Sequence, residues 1–242
     1  MNLNRTEFDA ILFDMDGVII DTKAEVEAFW SEKIEMHGVS IDEGYIEEKL
    51  HGRPARFIIE ELFPHLSPDE RKEMDKECTR YDSIQDSYTI IPGVEKILSQ
   101  LVKSSINVGL VTSALPPKVE VMLQSLSIQK PFNTIVTASN VEKGKPDPEC
   151  YLLGAENLGV NIRKVLVFED SVSGVMAAER AGATVVGVNE EKISPMLKEA
   201  GARFVIRNFT ETRFSEETAT LHIDTLEKQF TLRKGTKNKR PG

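Results

Sequence analysis

The sequence of 242 residues is poor in cysteine and has no long apolar run. Its two cysteines, Cys78 and Cys150, are too few for a disulfide framework, so we expect free thiols in a cytoplasmic protein. No apolar stretch approaches the roughly 20 residues that cross a bilayer. The first eight residues are polar and contain no signal-peptide core. These absences argue against a secreted protein, a membrane protein and a membrane partner.

Basic residues are fewer than acidic ones, 30 against 39, which gives a net charge of −9 at pH 7. Residues 23–88 contain 17 acidic and 9 basic residues, a balance of −8, so this segment carries nearly all of the excess. It argues against nucleic acid as a partner, because phosphate backbones need a basic face. Residues 233–242 instead contain five basic and no acidic residues. We expect them to be a solvated, disordered end, and a contact with a polyanion is the alternative.

Apolar runs alternate with helical patterns along most of the chain. Strands are predicted at residues 9–13, 106–111, 134–136, 165–168, 184–188 and 204–206. Helices are predicted at residues 93–103, 118–126, 148–158, 172–181 and 193–200. Strand alternating with helix indicates an α/β fold, here a doubly wound parallel sheet with right-handed crossovers.

The segment that follows Thr22 breaks this alternation and shows only helical patterns. Thr22 and Ser67 each stand three residues before a glutamate, the spacing of a helix capping box. Further helices are predicted at residues 46–50 and 56–62, and Trp30 is expected to pack inside this unit. An all-helical domain is therefore inserted after the first strand.

These patterns divide the chain into three parts. We expect an α/β core made of residues 1–22 and 89–222, and a helical cap domain made of residues 23–88. Residues 223–242 are expected to be a C-terminal extension, basic and disordered at its end.

Side chains that can do chemistry follow four of the predicted strands. They are Asp14 and Asp16, Thr112 and Ser113, Lys145, and Glu169 and Asp170. Because ligands bind at the carboxyl ends of strands in open α/β sheets, we expect the four segments to meet at one edge. Together they offer a nucleophilic carboxylate, a hydroxyl donor, a cation and a second carboxylate pair, which phosphoryl transfer needs. Paired carboxylates with few histidines nearby favour Mg²⁺ over Zn²⁺.

Each segment has a simpler explanation when it is taken alone. A pair of aspartates is common on solvated turns, and Lys145 could be an ordinary loop lysine. Thr112 could only cap the next helix. Glu169 and Asp170 could begin a helix, where the helix dipole favours acidic residues. The ordered set, each member behind its own apolar strand, is what predicts a site.

The four segments resemble, in order, the four motifs of the haloacid dehalogenase-like (HAD) superfamily. Residues 14–22 (DMDGVIIDT) match its first motif, DxDGxxxDT, and residues 169–174 (EDSVSG) match its fourth. Thr112 resembles the hydroxyl residue of the second motif, and Lys145 the lysine of the third. The insert is similar to the small cap of the β-phosphoglucomutase and phosphoglycolate phosphatase-like branch. The resemblance covers about residues 9–190 and implies a Rossmann-like HAD core in a monomeric enzyme.

The resemblance assigns roles to these residues. It implies that Asp14 attacks phosphorus to form an aspartyl-phosphate. Asp16 would protonate the leaving group and then activate the hydrolytic water. Thr112, Ser113 and Lys145 would bind the transferring phosphate. Mg²⁺ is the implied cofactor, with ligands from Asp14, Asp16 (by its backbone carbonyl), Glu169 (directly or through water) and Asp170.

A Gly-Arg loop between two cap helices contains the candidate residues for substrate specificity. Gly52, Arg53 and Arg56 stand where relatives present substrate-selecting groups, and an arginine there could contact hydroxyls or the phosphate. The alternative is that these arginines pair with the many acidic residues of the cap.

Three functions remain open from the sequence. A phosphatase acting on a small sugar, polyol or glycolate phosphate is favoured. The dehalogenases of the superfamily lack the second aspartate, so the presence of Asp16 argues against that activity. A hexose-phosphate mutase is the alternative. Val26 stands where those mutases keep a cap histidine, and Leu115-Pro116 where they carry a phosphate-gripping Lys-Asn pair. A non-catalytic binding module is the third reading, and the intact motifs disfavour it.

Overall fold

A computed structural model describes residues 6–42, 44–189 and 192–235 of the chain. Its centre is a six-stranded sheet in which all neighbouring strands are parallel, in the order β6-β5-β2-β7-β8-β9. The strands are β2 (Ala10–Phe13), β5 (Asn107–Val111), β6 (Thr134–Val136), β7 (Val165–Glu169), β8 (Thr184–Val188) and β9 (Phe204–Ile206). The predicted α/β class is therefore confirmed. Strand β2 lies between β5 and β7, so Phe13, which precedes Asp14, is beside Leu110 and Phe168.

Helices cover both faces of this sheet. They are α4 (Val94–Lys103), α5 (Pro116–Ser125), α6 (Glu149–Leu158), α7 (Val172–Ala181) and α8 (Ser194–Glu199). Successive residues of a strand point to opposite faces. Ile11 and Phe13 accordingly join the apolar cluster with α4 and α5, while Ala10 and Leu12 join the cluster with α6, α7 and α8. The four inner strands, β2, β5, β7 and β8, are thus buried on both sides, which explains their continuous apolar runs.

The cap consists of helices in its described part. They are α1 (Lys23–Met36), a π-helix (Ile46–Leu50), α2 (Ala55–Leu62) and α3 (Pro68–Ser83). Trp30 and Phe63 are buried in their shared apolar cluster, as predicted for Trp30. The capping box predicted at Ser67 is also present, because Ser67 and Glu70 bond reciprocally at the start of α3. A short antiparallel pair, β3 (Ile20–Asp21) and β4 (Thr89–Ile90), joins the cap to the core.

The structure also contains a second sheet that the sequence did not predict, and its last strand lies in the predicted C-terminal extension. It has four strands in the order β1-β12-β11-β10. They are β1 (Thr6–Phe8), β10 (Thr212–Ser215), β11 (Thr220–Ile223) and β12 (Lys228–Leu232).

The predicted extension, residues 223–242, thus contributes β12 to this sheet. Phe214, Leu221 and Phe230 are buried in the same cluster as Phe13, which makes this sheet part of the core. Of residues 233–242, predicted as a solvated, disordered end, residues 236–242 lie outside the described residues. Arg233 and Gly235, in contrast, donate their backbone N–H groups to the carbonyls of Phe8 and Ser105. The remaining domain boundaries stay predictions.

Within the described residues, no helix combines the length and the apolar character needed to pass through a bilayer.

Candidate active site

The centre of the site is a lysine between two carboxylates. Asp14 directly follows β2, Glu169 is the last residue of β7, and Lys145 lies between β6 and α6. The Lys145 Nζ atom is 2.6 Å from Asp14 Oδ1 and 2.6 Å from Glu169 Oε1. Parallel strands deliver all three residues to the same edge of the sheet, although 131 positions separate Lys145 from Asp14.

Burial and charge set the protonation of this group. Burial alone would lower the pKa of Lys145, but Asp14 and Glu169 raise it well above its usual value, so the ammonium stays charged. Burial raises the pKa of Asp14 to about 7, and Lys145 offsets only part of this effect. The Asp14 carboxyl therefore lies in a buried environment among charged groups, where electrostatic interactions are stronger than in water.

Glu169 is fixed by donors on both of its oxygens. The Tyr151 hydroxyl donates to Oε1 at 3.1 Å, next to Lys145. The backbone N–H and the hydroxyl of Ser171 donate to Oε2 at 2.9 and 3.0 Å. Both oxygens of Glu169 thus have fixed partners, and one of them is shared with the lysine that contacts Asp14.

A three-carboxylate cluster lies beside this lysine. Asp14, Glu169 and Asp170 each offer an oxygen, and these atoms lie within 4.8 Å of one another. The Asp170 carboxylate packs directly against Gly17, where no side chain would fit, because a Cβ at Gly17 would be 2.0 Å from Asp170 Oδ2. Burial raises the pKa of Asp170 well above its usual value, with further contributions from neighbouring carboxylates. Burial and the neighbouring carboxylates thus disfavour the ionised form of Asp170 unless a cation lies close to it.

The donor set fits a hard divalent cation. All three ligand atoms are carboxylate oxygens, the type that Mg²⁺ and Ca²⁺ prefer. When ionised, the four carboxylates exceed the two lysines by two negative charges, which one divalent ion would neutralise; the groups are Asp14, Asp16, Glu169 and Asp170 against Lys118 and Lys145. The predicted ligands Asp14, Glu169 and Asp170 are thus brought together.

The Asp16 carboxylate stands apart from that cluster and has its own partners. Lys118 Nζ is 2.8 Å from Asp16 Oδ1, and the Thr22 hydroxyl donates to the same oxygen at 2.5 Å. Burial alone would raise the pKa of Asp16, but Lys118 and Thr22 hold it below its usual value. The capping box predicted at Thr22 is not formed: its side chain makes no cap hydrogen bond, and its hydroxyl is directed to Asp16 instead.

The second-motif residues lie at the end of β5. Thr112 is buried, and its hydroxyl oxygen accepts the backbone N–H of Ala114 at 3.0 Å. This contact uses an oxygen lone pair, so the O–H can still donate to a phosphate oxygen. Ser113 instead donates to the backbone carbonyl of Gly52 at 2.7 Å, which links the core to the cap.

The cap covers the carboxylates and leaves a cavity of about 190 Å³ between the two domains. Asp14 and Asp16 line its core side, whereas Val26, Phe29 and Trp30 of α1 are among the residues on its cap side. Its cap side also carries polar and charged residues, among them Lys23 and Asp75. Reactive groups at one end and apolar side chains mixed with a few polar groups at the other are typical of a small-molecule site.

The two predicted cap arginines line this cavity but are bonded elsewhere. Arg53 pairs with Glu61 at 2.7 Å, as the alternative reading of the sequence expected. Arg56 donates to the backbone carbonyls of Val141 and Glu142 at 3.3 and 3.2 Å, across the boundary between cap and core. Substrate binding by Arg53 and Arg56 stays a prediction.

Gly52 has a structural role that explains its residue type. Its φ is +75°, and a Cβ there would be 2.1 Å from Ser171 Oγ and 2.8 Å from Ser173 Oγ. Ser173 also donates to the backbone carbonyl of His51 at 2.7 Å. The loop at Gly52 therefore packs directly on the fourth motif.

Sequence reasoning missed Lys118 and Tyr151, which contact the site from α5 and α6. Each lies within a predicted helix, and no local pattern in the sequence indicates that it contacts a carboxylate far away along the chain.

Comparisons with known proteins agree with this geometry. A family model described as haloacid dehalogenase-like hydrolase matches residues 11–188. Hexitol phosphatase A of Escherichia coli (strain K12) is 33% identical over 192 residues, which are 78% of this chain and 86% of that protein. The phosphorylated carbohydrates phosphatase of Thermotoga maritima is 32% identical over 207 residues, 82% of this chain and 94% of that protein. Among solved structures, β-phosphoglucomutase from Clostridium difficile has a TM-score of 0.72 and 28% identity, covering 86% of this chain and 94% of its own.

The family model spans well over half of the chain, including Asp14, Thr112, Lys145 and Asp170. The chain therefore belongs to the haloacid dehalogenase-like hydrolases.

Proposed function

We propose that this hydrolase is a Mg²⁺-dependent phosphatase, which cleaves a small phosphorylated sugar, polyol or glycolate through an aspartyl-phosphate on Asp14. The observation that carries the proposal is the Asp14–Lys145–Glu169 group at the floor of a capped cavity. Relatives named as phosphatases of hexitols and of phosphorylated carbohydrates support the reaction class.

The first step forms the phosphoenzyme. A carboxylate oxygen of Asp14 attacks phosphorus while the bond to the leaving oxygen breaks. Lys145 neutralises charge between Asp14 and the phosphate, and the Thr112 hydroxyl donates to a phosphate oxygen. Asp16, which lines the same cavity, gives a proton to the leaving oxygen.

The second step releases phosphate. A water attacks phosphorus, the bond to Asp14 breaks, and Asp16 takes a proton from that water. The contacts of Asp16 with Lys118 and Thr22 suit this step, because both groups favour the anionic carboxylate.

Asp14, Glu169 and Asp170 would hold the Mg²⁺ ion, together with the backbone carbonyl of Asp16. When bound, the ion neutralises charge on the phosphate and so reduces its repulsion from the Asp14 carboxylate.

Release of phosphate from p-nitrophenyl phosphate, with Mg²⁺ and after chelation, tests this proposal. We expect activity only with the metal, and a loss of about 1,000-fold or more in Asp14→Asn. Asp9→Asn is the matched control, since Asp9 stands just before the opposite end of β2 and should leave activity intact. An Asp14→Asn protein with full activity, or a trapped phosphoryl label on another residue, would refute the assigned nucleophile. A panel of sugar, polyol and glycolate phosphates would then identify the substrate.

A hexose-phosphate mutase is the second candidate, because solved β-phosphoglucomutases share the fold. Val26 lines the cavity where that branch keeps a histidine, and Pro116 begins α5 where it carries part of a phosphate-gripping pair. These departures favour hydrolysis. Turnover that requires a sugar bisphosphate and yields an isomer would establish the mutase instead.

A cytoplasmic location and a monomeric state remain predictions. Fractionation and sedimentation of the full chain would test them.

A further inference from the structure

A buried lysine outside the four motifs contacts the site. The side chain of Lys118 is 6% exposed, and its Nζ atom is 2.8 Å from Asp16 Oδ1. Lys118 is the third residue of α5, whose first two residues are prolines.

This position is unfavourable for a lysine on two counts. The first turn of a helix carries partial positive charge, which repels a cation. Removing an ammonium group from water also costs free energy unless a partner compensates it. Asp16 provides such a partner, so the location of Lys118 is explained by the carboxylate and not by helix stability.

The contacts of Asp16 are asymmetric. Lys118 and the Thr22 hydroxyl both donate to Oδ1, from the core helix α5 and from the residue that precedes the cap helix α1. Two donors on one oxygen fix the plane of the carboxylate. Its other oxygen, Oδ2, is then the atom that can accept a proton from a group in the cavity that Asp16 lines.

We infer that Lys118 is a positioning residue that holds Asp16 for activation of the hydrolytic water. The inference rests on the proposed function. In this step the oxygen of water bonds to phosphorus, and the bond between phosphorus and Asp14 breaks with its electron pair returning to Asp14. One water proton moves to Asp16 Oδ2. Lys118 therefore acts on hydrolysis of the phosphoenzyme and not on its formation from a substrate with a good leaving group.

This assignment predicts a split between kinetic parameters. The ratio kcat/KM reports only formation of the phosphoenzyme. With p-nitrophenyl phosphate this step depends little on Asp16, because the leaving group needs little protonation. In Lys118→Met we expect kcat to fall about 10- to 100-fold, because a mispositioned base loses much of its usual contribution. We expect kcat/KM to change less than about threefold, and a burst of p-nitrophenol to precede the slow steady state.

Two further variants complete the kinetic test. Lys118→Arg keeps a donor and should restore part of kcat. Lys33→Met is the matched control, because Lys33 is also a buried lysine, 11% exposed and 2.7 Å from Glu77 in the cap, and it should show no burst. Equal losses of kcat and kcat/KM in Lys118→Met, or a rise in KM at constant kcat, would overturn the inference in favour of folding or substrate binding.

Crystal structures of the full-length wild type and Lys118→Met test the same inference without activity. We expect the Asp16 carboxylate to rotate away from Thr22 in the variant. An unmoved carboxylate would overturn the role of Lys118. If the wild type hydrolyses no phosphate ester, the proposed function fails, and this structural comparison still decides whether Lys118 positions Asp16.

Discussion

The contact of Gly52 with the fourth motif makes a sharp prediction for Gly52→Ala. A Cβ at this position would be 2.1 Å from Ser171 Oγ, whereas ordinary contacts begin at 3.4 Å. The cap loop must therefore move by 3.4 − 2.1, or about 1.3 Å, unless the fourth motif moves instead. Either shift changes how the cap meets the reacting groups.

Two effects of this substitution can be separated by magnitude. The φ of +75° disfavours any side chain by about 1–2 kcal/mol. For a chain of this size that lowers Tm by about 2–8 °C. Misplacement of a site by about 1 Å costs about 100-fold in rate. We therefore expect a modest loss of stability and a large loss of kcat/KM.

Gly38→Ala is the matched control for backbone strain. Gly38 has a φ of +61°, and a Cβ there would meet no atom of the described residues within 4 Å. Thermal unfolding should show a Tm loss in both variants, larger in Gly52→Ala because the overlap with Ser171 adds to the backbone strain, and p-nitrophenyl phosphate hydrolysis should be lost only in Gly52→Ala. A Gly52→Ala protein whose kcat/KM is within threefold of Gly38→Ala would refute the reasoning.

Three further predictions concern stability. Tyr151→Phe removes a donor to buried Glu169 and should cost about 1.5–3 kcal/mol in urea unfolding; a change below about 0.5 kcal/mol would contradict that hydrogen bond. Ser67→Ala removes the reciprocal bonds with Glu70 and should cost about 0.5–2 kcal/mol in the same assay, with no effect expected if α3 does not depend on its cap. Burial raises the pKa of Asp14 from 3.8 to about 7, so between these values the metal-free folded state binds more protons than the unfolded chain, and this group makes stability fall as pH rises. Because Mg²⁺ must displace that proton, it should raise Tm more at pH 8 than at pH 5.5, and an equal rise at both would argue against Asp14 as a ligand.

The parallel sheet could be predicted because each of its strands is a local signal. A strand buried on both faces needs a continuous apolar run, as in Val165–Glu169, and a polar residue follows where the strand ends. The common direction of the strands then places Asp14 and Lys145 together without any knowledge of their distance.

The second sheet could not be predicted in the same way. In β12, Lys228 and Gln229 are both exposed, and only Phe230 and Leu232 are buried in alternation, which is too few positions to distinguish a strand from a loop. Their burial depends on pairing with β1 and β11, and distant pairing leaves no local pattern.

Single polar contacts were the other limit. Thr22 has the spacing of a capping residue, but its hydroxyl donates to the Asp16 carboxylate and its side chain makes no cap hydrogen bond. Charge likewise identifies Arg53 as a candidate without revealing that Glu61 binds it. Such choices depend on which partner the fold brings within reach.

The pairing of β1 with β12 has a consequence for biosynthesis. Thr6 lies beside Phe230, 224 positions later, so a ribosome makes β1 long before the strand that completes it. The six-stranded sheet can assemble from successive units during translation, whereas Phe8 can contact its aromatic neighbour Phe230 only after residue 230 has been synthesised. A nascent chain that stops before β12 would leave the edges of β1 and β11 unpaired. Premature termination there should therefore yield a product that aggregates or is degraded.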